Sequence, residues 1–425
     1  MRDVQRTDGR FPDIAPLGGG FGGLLWGSAG ITVPWECYQQ YGDTILLSEH
    51  YDAMKRYIQY IIDNTIETET NLIVQTRSWG DLCDWLGLED EKNDKSLVWE
   101  AYFIYDLELM AKMATVLGKV TDAEWFRELH AARKDFFNKT YIEPETGKTL
   151  FSAFVPEKKG SHIDIQTSYV LPLAFNIIDE ENRNKVIANL AETVRRENTT
   201  DRGQQCPSYS LMTGFIGTSW INKALSDYGH SDLAYRLLQQ TSYPSWLYSI
   251  EQGATTIWER LNSYTRTDGF GGNNRMNSFN HYSFGAVGAW MYNYSLGIQR
   301  DETFPGFKQF VLKPMPDPTG KMTYARGYYD SMYGRIESGW KVESGVIRYT
   351  FTVPANTTAT LYLPTASLRD VREKTKPVRK CKGVEFISEG NGEVVLKLLS
   401  GSYSFEVKKD YPLAARKRKK YVFVR

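Results

Sequence analysis

One segment of the sequence combines residue types that can act on a neutral, hydroxyl-rich ligand. Residues 253–290 hold a carboxylate, Glu259, within the tripeptide WER, and an imidazole, His281, within the tripeptide NHY. A Gly/Asn-rich loop, 268–274, lies between them, and glycine allows the backbone to approach a ligand closely. Aromatic faces bind the apolar side of a sugar, while carboxylate, imidazole and amide groups bind its hydroxyls. The segment therefore predicts a pocket for a sugar-like ligand.

The same residues also fit a structural role, and their spacing leaves both interpretations open. In the structural interpretation Glu259 pairs with Arg260 at a helix end and His281 is a core histidine, because structural networks also hold perturbed ionisable groups. Trp26 ends a glycine-rich loop and Trp79 lies in a second irregular loop. Each of these tryptophans is either a sugar platform or a core residue.

The composition excludes several classes of partner. The 425 residues are enough for two or three domains, and 51 basic residues balance 51 acidic ones. A neutral chain argues against a nucleic-acid partner, which would require a cationic surface. The four cysteines form no CxxC pair, so we expect no zinc site, and we expect no other metal or cofactor. No apolar run reaches the roughly 18 residues of a membrane span, so we expect no membrane partner.

The elements that must position these residues are helices in pairs. Apolar residues recur at helical spacing in two N-terminal segments, one with Pro34 in its first turn and one beginning near Ser48. Further helices are predicted at 95–118 and 121–138, 163–178 and 180–197, 211–227 and 230–242, and 281–297. Long loops rich in glycine, proline and aromatic residues separate the pairs. This pattern predicts a ring of helical hairpins.

The pattern changes after Gly297. Short alternating segments at 345–353, 357–363, 392–398 and 401–407 predict strands of an antiparallel β-sandwich. We expect three regions: a helical domain at 1–300, the sandwich at 301–408 and a solvated basic tail at 409–425.

Several long motifs resemble one family. FPDIAP, WGSAGITVPWECYQQYGD, GFIGTSW, YPSWLYSIEQGATTIWERL and MNSFNHYSFGAVGAW, with PGFKQFVLKPMP after them, are similar to the bacterial α-L-rhamnosidases of glycoside hydrolase family 78. The order and approximate spacing fit along nearly the whole chain. The resemblance implies an (α/α)6 barrel followed by a β-sandwich, and removal of terminal α-L-rhamnose from glycosides, oligosaccharides or polysaccharides with inversion.

The resemblance also implies roles for the candidate residues. Inverting glycosidases use two carboxyl groups roughly 6.5–9.5 Å apart, one as general acid and one as general base. The family's base lies in its Trp-Glu-Arg motif, which falls on Glu259, and its sugar-contacting histidine falls on His281. Tryptophans of the rhamnose pocket fall on Trp26 and Trp79.

One departure from the family pattern is important. The family's general acid lies in a segment like ERLGWTGD, which does not occur in this sequence, and Ser28 stands where many relatives have aspartate. The first residues read like the end of a helix. We therefore expect a truncated or split rhamnosidase whose barrel lacks its first helices, with the missing N-terminal segment as a partner. Its compartment stays open: periplasmic or extracellular with an upstream signal peptide, otherwise cytoplasmic.

Two alternatives remain. The absence of the acid motif also fits a non-catalytic protein that binds rhamnose or another carbohydrate. Another enzyme on the same helical barrel, such as a polysaccharide lyase, is a third interpretation. A lyase would use basic residues against a uronic acid, and residues 253–290 offer arginines but no lysine.

Overall fold

The computed structural model describes residues 1–20, 23–75, 82–271, 276–374 and 376–408. The chain divides into two compact units, with the boundary between Trp290 and Met291. Trp79, part of the Gly/Asn-rich loop and the predicted basic tail lie outside the described residues. Within the described ranges, none of the helices is long and apolar enough to span a lipid bilayer.

The first unit consists of helical hairpins, as the periodicity predicted. Its helices are α1 (Ala29–Tyr41), α2 (Ile45–Thr65), α3 (Lys95–Val116), α4 (Val120–Tyr141), α5 (Gln166–Ala174), α6 (Glu180–Arg195), α7 (Phe215–Asp227), α8 (Ser231–Gln239), α9 (Trp246–Glu251) and α10 (Val287–Trp290).

The helices form an inner and an outer layer. Helices α1, α3, α5, α7 and α10 contact one another in succession, and each of the first four packs against the helix that follows it. Helix α3 is buried on every side, as expected for an inner helix. Helix α2 instead buries one stripe that includes Leu47, Tyr51, Met54 and Ile58, as an outer helix should.

This hairpin order determines where the long loops lie. Short turns at 42–44, 117–119, 175–179 and 228–230 join each inner helix to its outer partner. The long connections lead from outer helices back to the next inner helix, so they gather at the opposite end, around the N-termini of the inner helices. Loops carry binding residues more often than the elements that support them.

Three helical predictions need correction. Helix α1 begins at Ala29, so Pro34 lies inside it. Pro34 and Trp35 are buried, and their packing compensates for the helical hydrogen bond that is lost because proline has no backbone N–H. Helix α9 lies in a stretch predicted as loop and is capped by Ser245, whose hydroxyl accepts from Tyr248 N. The helix predicted at 281–297 is instead a 3-10 turn, the short α10 and a π-helical turn. Gly285 and Gly288, inside this stretch, weaken a regular α-helix.

The described residues of the second unit form two sheets. Its strands are β3 (Ile298–Arg300), β4 (Gln309–Leu312), β5 (Tyr324–Ser331), β6 (Gly334–Glu343), β7 (Val346–Val353), β8 (Thr358–Leu363), β9 (Val371–Glu373), β10 (Lys376–Pro377), β11 (Val384–Gly390), β12 (Glu393–Leu398) and β13 (Gly401–Lys408); β1 (Asn198–Thr199) and β2 (Gln205–Cys206) form a small ladder in the first unit. The sheet orders are β10-β9-β13-β7-β6-β5 and β11-β12-β8-β4-β3. Alternate residues such as Tyr349, Leu361, Leu396 and Phe405 form its buried core.

The four predicted strands are confirmed, but the sheets are not purely antiparallel. Strand β4 pairs with β8 in parallel, because β5, β6 and β7 intervene in the chain and return it to the same direction. Local alternation predicts a strand without determining the direction of its neighbour.

Candidate active site

Two segments of the long loop before α10 lie side by side and bring Glu259 and His281 onto one scaffold. Glu259 N donates to Ser278 O at 2.9 Å, and His281 N donates to Ile257 O at 2.9 Å. The hydroxyl of Thr256 also donates to Phe279 O. Residues that are far apart in the segment thus become neighbours.

The Glu259 carboxylate is held at one oxygen. Its Oε2 accepts a hydrogen bond from Ser278 N at 3.1 Å, and the residue is half-buried rather than enclosed. Among the described residues, no donor binds Oε1. An oriented carboxylate with one accessible oxygen can accept a proton from a water molecule, which is the task of a general base.

His281 contacts two aromatic rings. Its imidazole is 4.9 Å from the Phe215 ring at 34°, and it stacks on Tyr282 at 5.7 Å and 11°. Its Nδ1 accepts from Ser283 N at 3.4 Å, a contact that favours the tautomer with the proton on Nε2. In that tautomer Nε2 is a donor for a ligand hydroxyl.

An aromatic cluster supports the carboxylate. Trp258 is buried and meets Phe279 edge-to-face at 5.4 Å, while Phe270 meets Phe279 at 5.6 Å and Tyr264 at 5.2 Å. Edge-to-face contacts of this kind are typical of stable aromatic packing. The neighbouring Arg260 guanidinium donates to Asn277 Oδ1, on the opposite side of the loop. The tripeptide WER therefore combines a core ring, a half-buried carboxylate and a cation bound to a neutral amide.

Trp26 lies in a different loop, directly before α1, and is half-buried. Ser28 Oγ donates to Asp106 Oδ2 at 2.6 Å, which ties this loop to α3. Burial raises the pKa of Asp106 to about 8. Leu24 N donates to Gln75 Oε1 at 2.6 Å, and Gln75 directly precedes the segment 76–81 that holds Trp79. The described contacts of this loop thus run to Gln75 and Asp106, not to Glu259 or His281.

The inner layer also contains a group of aromatic residues that the sequence analysis did not identify. Trp220 Nε1 on α7 donates to the Tyr102 hydroxyl on α3 at 3.0 Å. Tyr105 stacks on Phe175 at 4.3 Å, and both rings contact Trp220. Trp220 lies within the motif GFIGTSW, which could have identified it. Tyr102 and Tyr105 sit in a helix buried on every side, where their spacing reads as core.

No metal centre is found in the described part of the chain, where no group of three or more His, Cys, Asp or Glu could hold an ion. The arrangement offers instead a carboxylate base, an imidazole donor and aromatic surfaces, the groups needed for a neutral sugar.

Comparison with protein families gives two matches that together cover most of the chain. Residues 1–295 match the bacterial alpha-L-rhamnosidase 6 hairpin glycosidase domain, and residues 297–377 match the bacterial alpha-L-rhamnosidase C-terminal domain. An alpha-L-rhamnosidase of Streptomyces avermitilis is 35% identical over 409 residues, covering 96% of this chain and 35% of the relative. One from Formosa agariphila is 31% identical over 416 residues, covering 96% of this chain and 41% of the relative.

Solved structures show the same similarity. The Streptomyces avermitilis alpha-L-rhamnosidase complexed with L-rhamnose superposes with a TM-score of 0.80 at 34% identity, over 96% of this chain and 35% of that one. An alpha-L-rhamnosidase from Dictyoglomus thermophilum gives 0.76 at 30% identity, over 96% of this chain and 42% of that one. The chain thus spans between about a third and two fifths of the length of these relatives.

Proposed function

This chain belongs to the bacterial α-L-rhamnosidase family, and on that premise we propose that it carries the general base and part of the sugar site of an inverting glycoside hydrolase. The substrate would be a glycoside, oligosaccharide or polysaccharide that ends in α-L-rhamnose. The observation that carries the proposal is the placement of Glu259: its Oε2 is fixed by Ser278 N, and no donor among the described residues binds its Oε1.

The proposed reaction breaks the bond between the anomeric carbon and the glycosidic oxygen. Glu259 takes a proton from water, and the water oxygen forms a new bond to the anomeric carbon from the face opposite the leaving group. The leaving oxygen takes up a proton from the second carboxyl group that such a mechanism requires. The free sugar produced is the β-anomer.

His281 and Trp26 complete the proposed sugar site. Nε2 of His281 donates to a ring hydroxyl, and Phe215 and Tyr282 keep the imidazole in place. Trp26 presents an aromatic surface that suits the C6 methyl group of rhamnose. Trp79 is proposed for the same pocket on the family motif alone. We also propose that the helical domain ends and the β-sandwich domain begins at about residue 300. The two family matches, which meet near residue 296, support this boundary.

Azide rescue tests the role of Glu259. An aryl α-L-rhamnoside is given to the Glu259→Ala variant with and without sodium azide, and the product is identified by NMR. A missing base leaves room for azide, so we expect β-L-rhamnosyl azide to form and the lost rate to recover in part. A Glu259→Ala variant that retains the parent rate without azide would contradict this assignment.

L-Rhamnose binding separates the enzyme from the carbohydrate-binding alternative. Titration of the protein with L-rhamnose is compared with L-fucose, another 6-deoxy sugar. Saturable binding of rhamnose together with turnover supports the hydrolase. Saturable binding without turnover of any aryl rhamnoside would favour the non-catalytic alternative, in which the same pocket only recognises the sugar.

A further inference from the structure

A buried aspartate outside the proposed site is built into the support of His281. Asp84 lies in the loop between α2 and α3 and is 1% exposed. Its Oδ1 accepts from Ile216 N and Gly217 N, both at 2.9 Å. Its Oδ2 accepts from Gly214 N at 2.8 Å and from the Thr167 hydroxyl. One carboxylate thus binds the backbone at the start of α7 and a side chain of α5.

The backbone around Asp84 reinforces this attachment. Phe215 N donates to Trp85 O at 2.9 Å, and Leu88 N donates to Met212 O at 3.0 Å. A Cβ atom on Gly214 would lie 2.3 Å from the carbonyl oxygens of both Asp84 and Trp85, so this close approach requires glycine. Residues 84–88 and the turn before α7 are therefore held together as one body.

Phe215 connects this body to His281. The amides of Gly214 and Ile216, on either side of Phe215, both bind the Asp84 carboxylate, so the backbone of Phe215 is fixed. Its ring lies 4.9 Å from the His281 imidazole and meets Phe284 edge-to-face at 5.4 Å. We infer that Asp84 is a positioning residue, which sets the place of His281 through Phe215 without touching the sugar. Its value for catalysis rests on the proposed function of His281.

The chain offers a matched control. Asp94 is fully buried and also accepts several bonds at the start of a helix: from Ser96 N at 2.9 Å, Leu97 N at 3.4 Å, Ser152 N at 2.6 Å and Ser152 Oγ at 2.7 Å. These donors make none of the described contacts to His281. Asp84→Asn and Asp94→Asn therefore remove similar carboxylates, and only the first lies on the path through Phe215.

The first test measures the environment of the His281 imidazole directly, by NMR. The five histidines are labelled with carbon-13 at Cε1 and their NMR signals are assigned by substitution. Asp84→Asn should shift the His281 signal because the ring of Phe215 moves, and Asp94→Asn should leave it in place. Phe215→Leu should shift the same signal, and adding Asp84→Asn to Phe215→Leu should change it little further. An unmoved His281 signal in a folded Asp84→Asn variant overturns the inference.

A milder substitution, Thr167→Val, tests the same inference if Asp84→Asn does not fold. Thr167→Val removes one donor to Asp84 and leaves the three amide bonds, so a smaller shift of the His281 signal is expected. Equal shifts of the His281 signal in Thr167→Val and Asp94→Asn would overturn the inference as well, since they would show a general loosening.

The second test measures the consequence for rhamnose. Asp84→Asn should lower kcat/KM on an aryl rhamnoside by up to roughly 100-fold, since small displacements of a positioning group are costly, while Asp94→Asn stays near the parent. The two claims fail separately. If the parent protein turns over no rhamnoside but the His281 signal still responds to Asp84→Asn and Phe215→Leu and not to Asp94→Asn, the proposed function fails and the structural coupling stands.

Discussion

Glu259 and Ser278 bind each other twice: the amide of Glu259 donates to the carbonyl of Ser278, and the amide of Ser278 donates to the Glu259 carboxylate at 3.1 Å. The first bond fixes the backbone from which the carboxylate projects, and the second fixes its orientation. A general base held in this way needs no reorganisation before it accepts a proton. The relationship suggests tests that leave the carboxylate itself unchanged.

The first prediction concerns the Ser278 amide. Ser278→Pro removes the donor, and a hydrogen bond to a charged group contributes about 1.5–3 kcal/mol. We expect kcat on an aryl rhamnoside to fall by roughly 10–100-fold in steady-state assays. Ser278→Ala keeps the amide and serves as the control. Equal rates for the two variants would show that the Ser278 amide does not orient the base.

The second prediction concerns Trp26, which is either a sugar surface or a lid on the core. Trp26→Ala should raise the Kd for L-rhamnose by roughly threefold to tenfold, the range of aromatic contacts, as measured by calorimetric titration. Trp125 on α4 is also half-buried and contacts Lys55, so Trp125→Ala is the control and should leave the Kd unchanged. A Trp26→Ala variant that loses stability but binds rhamnose as the parent does would assign Trp26 to the core.

The third prediction concerns pH and Asp106. Burial raises the pKa of Asp106 to about 8, above the ordinary value of 3.8 that it has in the unfolded chain. The folded state therefore binds a proton that the unfolded state has released, and the stabilisation is complete at low pH and is lost as the pH rises towards 8. In urea unfolding between pH 5 and 8, the free energy of unfolding should therefore fall less steeply with pH in Asp106→Asn than in the parent, by up to about 1.4 kcal/mol per pH unit.

Asp122 provides the control for this measurement. A hydrogen bond from Lys55 lowers the pKa of Asp122, so its contribution is present above the ordinary pKa and is lost only as the pH falls below it. Asp122→Asn should leave the slope between pH 5 and 8 as it is in the parent. Parallel slopes for the parent and Asp106→Asn would show that Asp106 is ionised in the folded protein.

The fourth prediction concerns a buried ion pair. Glu100 on α3 is fully buried and receives the Arg133 guanidinium, which is 4% exposed and also donates to Asn71 Oδ1 at 2.9 Å. Arg133→Ala leaves a buried carboxylate without its cation, so the free energy of unfolding should fall by about 3–5 kcal/mol in urea denaturation.

The exposed pair of Lys139 and Asp135 on the same helix is the control for Arg133. Its side chains are 74% and 60% exposed, and Lys139→Ala should change the stability by less than about 1 kcal/mol. If both substitutions had the same small effect, the Glu100–Arg133 pair would not be a stabilising contact of the helical unit.

The sequence was informative where structure is local. Helical periodicity predicted the hairpins because each outer helix must bury one stripe, and strand alternation predicted β7, β8, β12 and β13. The parallel pairing of β4 with β8 and the π-helical turn after Trp290 depend on packing between distant segments. No local pattern encodes them.

The candidate site divides in the same way. Glu259 and His281 share one segment, so their proximity was predictable, although the hydrogen bonds that pair Glu259 with Ser278 were not. Asp84 escaped notice because its hydrogen bonds join residues 130 positions apart and reach backbone amides that any sequence would supply. The catalytic and binding roles of Glu259, His281, Trp26 and Trp79 stay predictions.

The most direct measurement is hydrolysis of an aryl α-L-rhamnoside by the protein and its Glu259→Gln variant, with the first-formed sugar followed by proton NMR. A general base that inverts the anomeric carbon predicts β-L-rhamnose as the initial product. It also predicts a rate loss of roughly 10²–10⁴-fold in Glu259→Gln. Initial release of α-L-rhamnose, or a Glu259→Gln variant as active as the parent, would contradict the account.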